Sequence, residues 1–189
     1  MAEGIILAGG YSSRAKNNKM LLPILGKPLI LHTIASLSPY VKSLFVVTGH
    51  YDKEIKEALK DVKDIKVIYN PNYSKGMFTS IKRGVKEVND DFFVLPGDCP
   101  FIRASTMDAL MNAKGQVRVP TYKNETGHPI FFEKSLIKPL LSEDDINSNL
   151  KVFRDKCGYT SVEVSDENIL NDIDTVEDYE KTINKLERN

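Results

Sequence analysis

The chain has 189 residues, of which 41% are apolar and 28% charged, so it is long and apolar enough for one globular domain with a sizeable core. Its formal net charge is zero, which argues against a general attraction to nucleic acid or to an anionic membrane. The two cysteines lack metal-site spacing, the N-terminal apolar run is too short for a secretory signal, and no apolar run is long enough to span a membrane. These features predict a cytoplasmic protein with one domain over residues 1–189 and no membrane or nucleic-acid partner.

The first half of the sequence alternates between predicted strands and predicted helices. Short apolar runs predict buried strands at residues 5–8, 43–48, 65–69 and 92–95. Helical spacing of apolar residues predicts helices at residues 29–37, from a cap at Asp52 through residue 59, at residues 77–88, and from a cap at Ser105 through residue 113. This order predicts an α/β fold, a Rossmann-like three-layer α/β/α arrangement with a mostly parallel central sheet.

The second half is less regular but fits the same domain. Strands are predicted at residues 117–120 and 129–132, with an edge strand at residues 159–164. Helices are predicted at residues 134–141, 150–155 and 176–186, the last one preceded by Asp174-Thr175 as capping residues. No repeat or linker divides the chain.

Three short polar segments follow predicted strands: Gly9-Gly10, Gly49-His50 and Pro96-Gly97-Asp98. The carboxyl ends of parallel strands lie at one edge of a sheet, where α/β proteins bind their ligands. We therefore expect these segments to converge on one binding site.

The first of these segments has the composition of a polyphosphate site. Gly9-Gly10 leave the backbone accessible, Ser12 and Ser13 supply hydroxyls, and Arg14, Lys16 and Lys19 are cations with no acid among them. The spacing matches neither the P-loop nor the dinucleotide-binding fingerprint. A glycine turn with solvated lysines remains the alternative at this point, and for Lys16 it is the favoured one.

Two acidic segments are candidate metal ligands. Asp98 is at the tip of a buried strand, where its carboxylate can hold Mg²⁺ or, alternatively, bond its own turn. Asp172 and Asp174 are two residues apart and share a face of an extended chain. The same segment also fits a capping box formed by Thr175 and Asp178.

The order L-A-G-G-x-S-S-R-x-x-x-x-K-x-L-L-P-x-x-G-K-P in residues 7–28 resembles the signature of the MobA-like nucleotidyltransferases, which include the molybdopterin cytidylyl- and guanylyltransferases. L-P-G-D-C-P around Asp98 is similar to the metal motif of that family. D-I-D-T-V-E-D at residues 172–178 resembles its D-x-D-T-P-E-D, and Gly127-His128-Pro129 is similar to a segment on its acceptor side. The chain departs from the family at Lys16, where many members have glycine, and at Val176, which replaces proline.

The resemblance implies the nucleotide-diphospho-sugar transferase fold, with Mg²⁺ as cofactor, and it implies roles for individual residues. It implies catalytic roles for Arg14, Lys19 and Asp98, metal binding by Asp98 and Asp174 with Asp172 as the second choice, and acceptor binding by His128. The nucleotide-binding residues that it implies are Leu7, Ala8, Gly9, Gly10, Ser12, Ser13, Arg14, Lys19, Gly76, Ser80, Pro96, Gly97 and Asp98.

The resemblance also predicts the reaction. N-P-N-Y-S-K-G-M-F-T-S-I-K-R-G at residues 70–84 resembles the cytidylyl members, which favours CTP over GTP, although Gly9 is also used by guanylyl members. The predicted activity transfers CMP from CTP to a phosphorylated acceptor, molybdopterin above others, with transient contact to a molybdoenzyme or its chaperone. The alternatives are a guanylyltransferase of the same family, a sugar- or polyol-phosphate cytidylyltransferase, and a non-catalytic nucleotide-binding regulator.

Overall fold

The computed structural model describes residues 1–11, 18–145 and 147–187. Predictions on Ser12, Ser13, Arg14 and Lys16 lie outside these residues. The strands are β1 (Ala2–Ala8), β2 (Pro23–Ile24), β3 (Lys27–Pro28), β4 (Val41–Thr48), β5 (Ile65–Tyr69), β6 (Phe92–Pro96), β7 (Val117–Tyr122), β8 (Glu125–Thr126), β9 (Ile130–Phe132) and β10 (Thr160–Glu163). The helices are α1 (Leu29–Leu37), α2 (Asp52–Leu59), α3 (Met77–Val85), α4 (Ala104–Asn112), α5 (Ile137–Ser142), α6 (Leu150–Cys157) and α7 (Val176–Glu187).

The central sheet has the strand order β10-β7-β9-β6-β1-β4-β5, with β8 paired to β7. Neighbouring strands along this path are parallel except at β9, which runs antiparallel to both β6 and β7. Ile5 in β1 lies between Phe45 of β4 and Val94 of β6. The predicted edge strand is confirmed as β10, and the predicted α/β fold with a mostly parallel sheet is confirmed as well.

Side chains alternate between two buried cores on opposite faces of the sheet. Ile6 and Ala8 face a core that includes residues of α1, α2 and α4 and is flanked by α7. Ile5 and Leu7 face a second core built with residues of α3, α5 and α6. A strand covered on both faces must be apolar at nearly every position, which is why its run reads as continuous rather than alternating. The three layers are those the sequence predicts.

Two predicted helix caps are wrong. Tyr51 is at the N-cap of α2, so Asp52 lies in the first turn, where it accepts a hydrogen bond from Thr48 and pairs with Lys56. At α4 the N-cap is Arg103, and Ser105 lies inside the helix. A distant carboxylate, that of Asp166, instead accepts hydrogen bonds from Arg103 N and Thr106 Oγ1 at the start of this helix, a contact that local sequence does not reveal.

The helix predicted over residues 77–88 is shorter in the structure, where α3 ends at Val85.

No helix in the described part of the chain is long and apolar enough to cross a membrane.

The carboxyl ends of the central strands converge, as the alternation predicts. Gly97 N donates to Leu7 O at 2.9 Å, and His50 N donates to Gly9 O at 3.5 Å. Ile173 N donates to Asp98 O at 3.0 Å, which joins the segment before α7 to the tip of β6. One edge of the sheet therefore collects residues that are far apart in sequence.

Candidate active site

A cleft with two lobes lies at this edge of the sheet. The first lobe, of about 300 Å³, is lined by residues from the ends of β1 and β6 and the start of α3. The second, of about 480 Å³, extends toward β9 and the start of α6. The two lobes share Leu7, Lys19, Met77, Pro96 and Asp98, so they meet where these five residues lie.

Lys19 sits at this junction between two carboxylates. Its Nζ donates to Asp98 Oδ2 and, at 2.6 Å, to Asp174 Oδ1. Burial by itself lowers the pKa of Lys19, but the charge of Asp98 and the hydrogen bonds to both carboxylates outweigh it, and the pKa is raised above its ordinary value. Lys19 is therefore protonated throughout the physiological pH range.

The arrangement of Asp98 and Asp174 fits a divalent cation. Both carboxylates contact one positive group, so their oxygens can reach a common ion, and Mg²⁺ usually takes only one or two protein carboxylates. Asp98 is largely buried, whereas Asp174 is about half exposed.

Asp172 has a different partner from Asp174. The thiol of Cys99 donates to Asp172 Oδ1 at 2.8 Å, and ligand atoms of Asp98, Cys99 and Asp172 all lie within 4.8 Å of one another. Burial raises the pKa of Asp172, partly offset by the Cys99 hydrogen bond, and burial raises the pKa of the Cys99 thiol well above its ordinary value. Asp174, the first choice from the sequence, is thus the carboxylate that shares Lys19 with Asp98.

The capping box predicted after this segment is also present. Thr175 N donates to Asp178 Oδ2 at 3.0 Å, and Asp178 N donates to Thr175 Oγ1 at 3.1 Å. The capping box and the cleft therefore use different residues of this segment. Thr175 and Asp178 form the box, whereas Asp172 and Asp174 line the cleft.

His128 lines the second lobe with Asp172 and Asp174. Its backbone N donates to Ile169 O at 2.9 Å, and its buried Nδ1 has no hydrogen-bond partner among the described residues. Burial lowers the pKa of His128 despite the nearby Asp172 and Asp98, so the imidazole is neutral at physiological pH. Gly127 is required beside it, since a Cβ there would lie 2.3 Å from Ile169 O.

The first lobe contains most of the predicted nucleotide-binding residues that the structure describes. It is lined by Leu7, Gly9, Gly10, Lys19, Gly76, Ser80, Pro96 and Asp98. Gly76 has φ of +112°, which favours glycine at the start of α3. Ser80 Oγ accepts from Asn70 Nδ2 at 2.9 Å, so this hydroxyl is held by a buried amide as well as facing the lobe.

Two of the predicted nucleotide-binding residues, Ala8 and Gly97, line neither lobe but support the first one. Ala8 points into the opposite core, and Gly97 packs against Leu7 O and Met20, where a Cβ would lie 3.0 and 2.9 Å away. Glycine at this position therefore serves the close packing of strand tips.

Several cleft residues were missed by sequence reasoning. They are Tyr11, Met20, Tyr73, Ser74 and Met77 in the first lobe, and Asn149, Lys151 and Arg154 in the second. Asn149 caps α6 by accepting from Val152 N at 3.0 Å, a signal that an Asn before an apolar helical run could have given. Arg154 is nearly buried and pairs with Asp155 at 2.7 Å, and its Cζ lies 4.6 Å from the centroid of the Tyr159 ring. No local sequence pattern predicts its place in the cleft.

The fold defines the class of protein. The whole chain superposes on a nucleotidyl transferase from Methanothermobacter thermautotroptrophicus with a TM-score of 0.85 and 25% identity, covering 100% of this chain and 98% of the other. A cleft at the carboxyl ends of the strands, with a lysine and carboxylates at its centre, fits this class.

The chain belongs to the MobA-like NTP transferase family, whose domain matches residues 4–157. It is 27% identical over 177 residues to the molybdenum cofactor cytidylyltransferase of Escherichia coli (strain K12), covering 93% of this chain and 92% of that protein. It is 31% identical over 138 residues to a probable molybdenum cofactor guanylyltransferase of Thermococcus sibiricus, covering 67% and 65%. Of the longer bifunctional GlmU proteins that it also matches, it spans about a quarter to a third. The resemblance drawn from the sequence is confirmed at the level of the family.

Proposed function

We propose that the protein is a Mg²⁺-dependent cytidylyltransferase that transfers CMP from CTP to the phosphate of a small acceptor, with molybdopterin as that acceptor. The observation that carries the proposal is the junction of the two lobes, where Lys19 bridges Asp98 and Asp174. A nucleotide in the first lobe and an acceptor in the second would place the reacting phosphorus beside this group. We extend the proposal to one nucleotidyltransferase domain over residues 1–189.

In this reaction an oxygen of the acceptor phosphate attacks the α-phosphorus of CTP, the bond from that phosphorus to the bridging oxygen breaks, and pyrophosphate leaves. A phosphate monoester is already ionised at neutral pH, so no general base is needed, which agrees with the neutral His128. Lys19 neutralises charge on the phosphates, and Asp98 and Asp174 would hold the metal. Bound Mg²⁺ would supply further charge neutralisation at the phosphate oxygens. The catalytic role predicted for Arg14 stays a prediction.

The choice of CTP rests on the size and edge of the first lobe. Cytosine is a single ring, and the N–H groups in the first turn of α3, next to Gly76, can meet its polar edge. A Cβ on Gly9 would lie 2.9 Å from Ser80 Oγ, so these two positions form one wall. The near full-length match to a cytidylyltransferase supports the same choice.

The choice of acceptor rests on the second lobe. Its wall combines apolar side chains with His128, Lys151 and Arg154, which suits a phosphorylated heterocycle. Lys151 and Arg154 would attract the terminal phosphate of the acceptor into this lobe, which Lys19 also lines.

Pyrophosphate release tests the proposal. We would measure it with purified protein and Mg²⁺ across CTP, GTP, UTP and ATP, each with molybdopterin, a sugar phosphate or a polyol phosphate. The proposal predicts release with CTP and molybdopterin, and its loss when EDTA removes the metal. Release with a sugar phosphate alone would reassign the acceptor, and nucleotide binding without any release would identify a non-catalytic binding protein.

A further inference from the structure

Five aromatic rings cluster at the carboxyl ends of β1, β4 and β5, beside the first lobe. They belong to Tyr11, His50, Tyr51, Tyr69 and Tyr73, which we call the aromatic cluster. Ring centroids are 4.9 Å apart for Tyr11 and His50, 5.4 Å for Tyr11 and Tyr73, and 4.6 Å for His50 and Tyr51. Tyr69 is 6.4 Å from Tyr73 on the far side. The rings form one continuous aromatic surface.

The position of Tyr73 is fixed by buried polar contacts. It begins a short turn, residues 73–75, in which its N donates to the carbonyl of Asn70 at 3.3 Å. The side chain of Asn70, 2% exposed, donates to Thr79 and Ser80 and accepts from Asn72 N, so it joins this turn to α3. Gly49 allows the close approach of the ring, because a Cβ there would lie 2.6 Å from Tyr73 Cβ.

Tyr11 is held from the neighbouring strand end. The hydroxyl of Tyr51 donates to Tyr11 O at 3.3 Å, and His50 packs against the Tyr11 ring. The ring is still 47% exposed, and neither Tyr11 nor Tyr73 belongs to the two hydrophobic cores. Burial in the hydrophobic cores therefore does not account for these two rings.

Within the cluster, Tyr11 and Tyr73 are the rings that line the first lobe, together with Gly9, Gly76 and Ser80. We propose that Tyr11 and Tyr73 form a stacking surface for the base of the bound nucleotide. This inference rests on the proposed function, because it takes the first lobe as the nucleotide site. Every base has a π-face, so such stacking strengthens binding of any nucleotide, while the polar groups at the start of α3 select among bases.

Fluorescence and calorimetric titration of the full chain test the inference. The chain has eight tyrosines and no tryptophan, so a base stacked on two of those tyrosines quenches its near-ultraviolet emission directly. We expect Tyr73→Ala and Tyr11→Ala each to raise the Kd for CTP roughly 5- to 150-fold, which corresponds to about 1–3 kcal/mol. Tyr73→Phe keeps a ring and should bind CTP within about threefold of wild type, since stacking needs no hydroxyl.

Two controls separate stacking from a structural role. Tyr69→Ala removes a ring that is 44% exposed and lies outside the lobe, and it should leave the Kd for CTP within about twofold. Inorganic tripolyphosphate, which has no base, should bind wild type and the Tyr73→Ala variant equally well. A general loss of fold would weaken both ligands.

The outcomes distinguish this inference from the proposed function. If wild type binds CTP and Tyr73→Ala and Tyr11→Ala bind it with unchanged Kd, stacking is overturned while the nucleotide site stands. If Tyr73→Ala weakens CTP and tripolyphosphate equally, the ring is structural and the inference is wrong. If wild type binds no nucleoside triphosphate at all, the proposed function fails and the inference fails with it.

Discussion

Lys19 is shared between two carboxylates, and this arrangement determines the chemistry of the junction. Asp98 and Asp174 would repel each other without a cation between them, and the ammonium group offsets that repulsion. Because the pKa of Lys19 is raised in the folded protein, its contribution to stability is fully present below about pH 10 and is lost as pH rises through the elevated pKa. Lys19 therefore keeps its positive charge across the physiological range.

Asp98→Asn should lower turnover by more than about a hundredfold while the protein stays folded. The substitution keeps the size of the side chain but removes the charge that pairs with Lys19 and that we assign to the metal. Steady-state pyrophosphate release measures the effect, and the exposed Asp90→Asn, which loses a surface pair with Lys42, is the matched control. Near-normal release by folded Asp98→Asn at ordinary Mg²⁺ would rule out the metal role.

Lys19→Ala should weaken use of the triphosphate far more than binding of cytidine. Loss of a charge contact made in the transition state costs about 2.7–4 kcal/mol, or roughly a hundred- to thousandfold in rate. Lys42→Ala, which removes a lysine from an exposed pair at 3.0 Å, is the control and should be within about twofold of wild type. A loss below about threefold for Lys19→Ala would show that Lys19 only pairs with the two carboxylates and does not act on the triphosphate.

The two cysteines should differ in reactivity. Burial raises the pKa of both thiols, that of Cys99 well above its ordinary value, but the Cys99 proton is held in the bond to Asp172 and the side chain is buried, whereas Cys157 is exposed. Since the thiolate is the reactive form, a thiol reagent at pH 8 should label one cysteine in the folded chain and both in denaturant. Cys157→Ser should then show no labelling before unfolding. Equal labelling of both thiols in the native protein would contradict the burial of Cys99.

At the level of structural elements, the segment between β10 and α7 supplies Asp172 and Asp174 to the site. Asp166 is fully buried, and it accepts hydrogen bonds from Arg103 N at 2.8 Å, Thr106 Oγ1 at 2.9 Å and Asn168 N at 3.1 Å. It thereby caps the short 3-10 turn at residues 167–170 and joins the start of α4 to the segment that continues to Asp172 and Asp174. The Asp166 carboxylate therefore fixes the start of α4 and the segment before α7 in position next to the tip of β6.

Asp166→Ala should lower the free energy of unfolding by about 2–4 kcal/mol, because it removes a helix cap and leaves buried donors without a partner. Urea denaturation measures this loss. Asp166→Asn keeps an acceptor oxygen and should lose less than the alanine variant. A change below about 0.5 kcal/mol for Asp166→Ala would show that other groups satisfy these donors.

The sequence predicts local features of these elements but not the contacts between distant residues. The capping box of Thr175 and Asp178 is local, so two residues three positions apart suffice to predict it. The caps predicted at Asp52 and Ser105 are wrong because propensity places an acceptor near a helix start without showing which groups the tertiary structure already supplies there. Asp166 lies 63 residues from Arg103, and no local pattern reveals such a pair.

At the scale of the molecule, strand order explains what sequence could predict of the site. Strand tips of a parallel sheet must share an edge, so the convergence of Gly9, Gly49 and Asp98 follows from the alternation of strands and helices. Arg154 depends on how α6, a later element, packs over that edge, and no local pattern in the sequence predicts its place in the cleft. The residues of the aromatic cluster follow from the strand tips, but strand alternation does not show that their rings contact one another.

Transfer of CMP across the junction of the two lobes is tested by a competition between CTP and GTP. Protein, Mg²⁺ and molybdopterin are mixed with equal concentrations of CTP and GTP, and the products are measured by mass with the pyrophosphate released. Under the proposed function, the polar groups at the start of α3 pair with cytosine and leave the guanine amine unpaired, and such mismatches can cost factors up to about 10⁴. We expect a cytidine dinucleotide, formed in a wide excess over the guanosine product and in equal amount to pyrophosphate. Equal incorporation, or a preference for GTP, would contradict it and place the protein with the guanylyltransferases of its family.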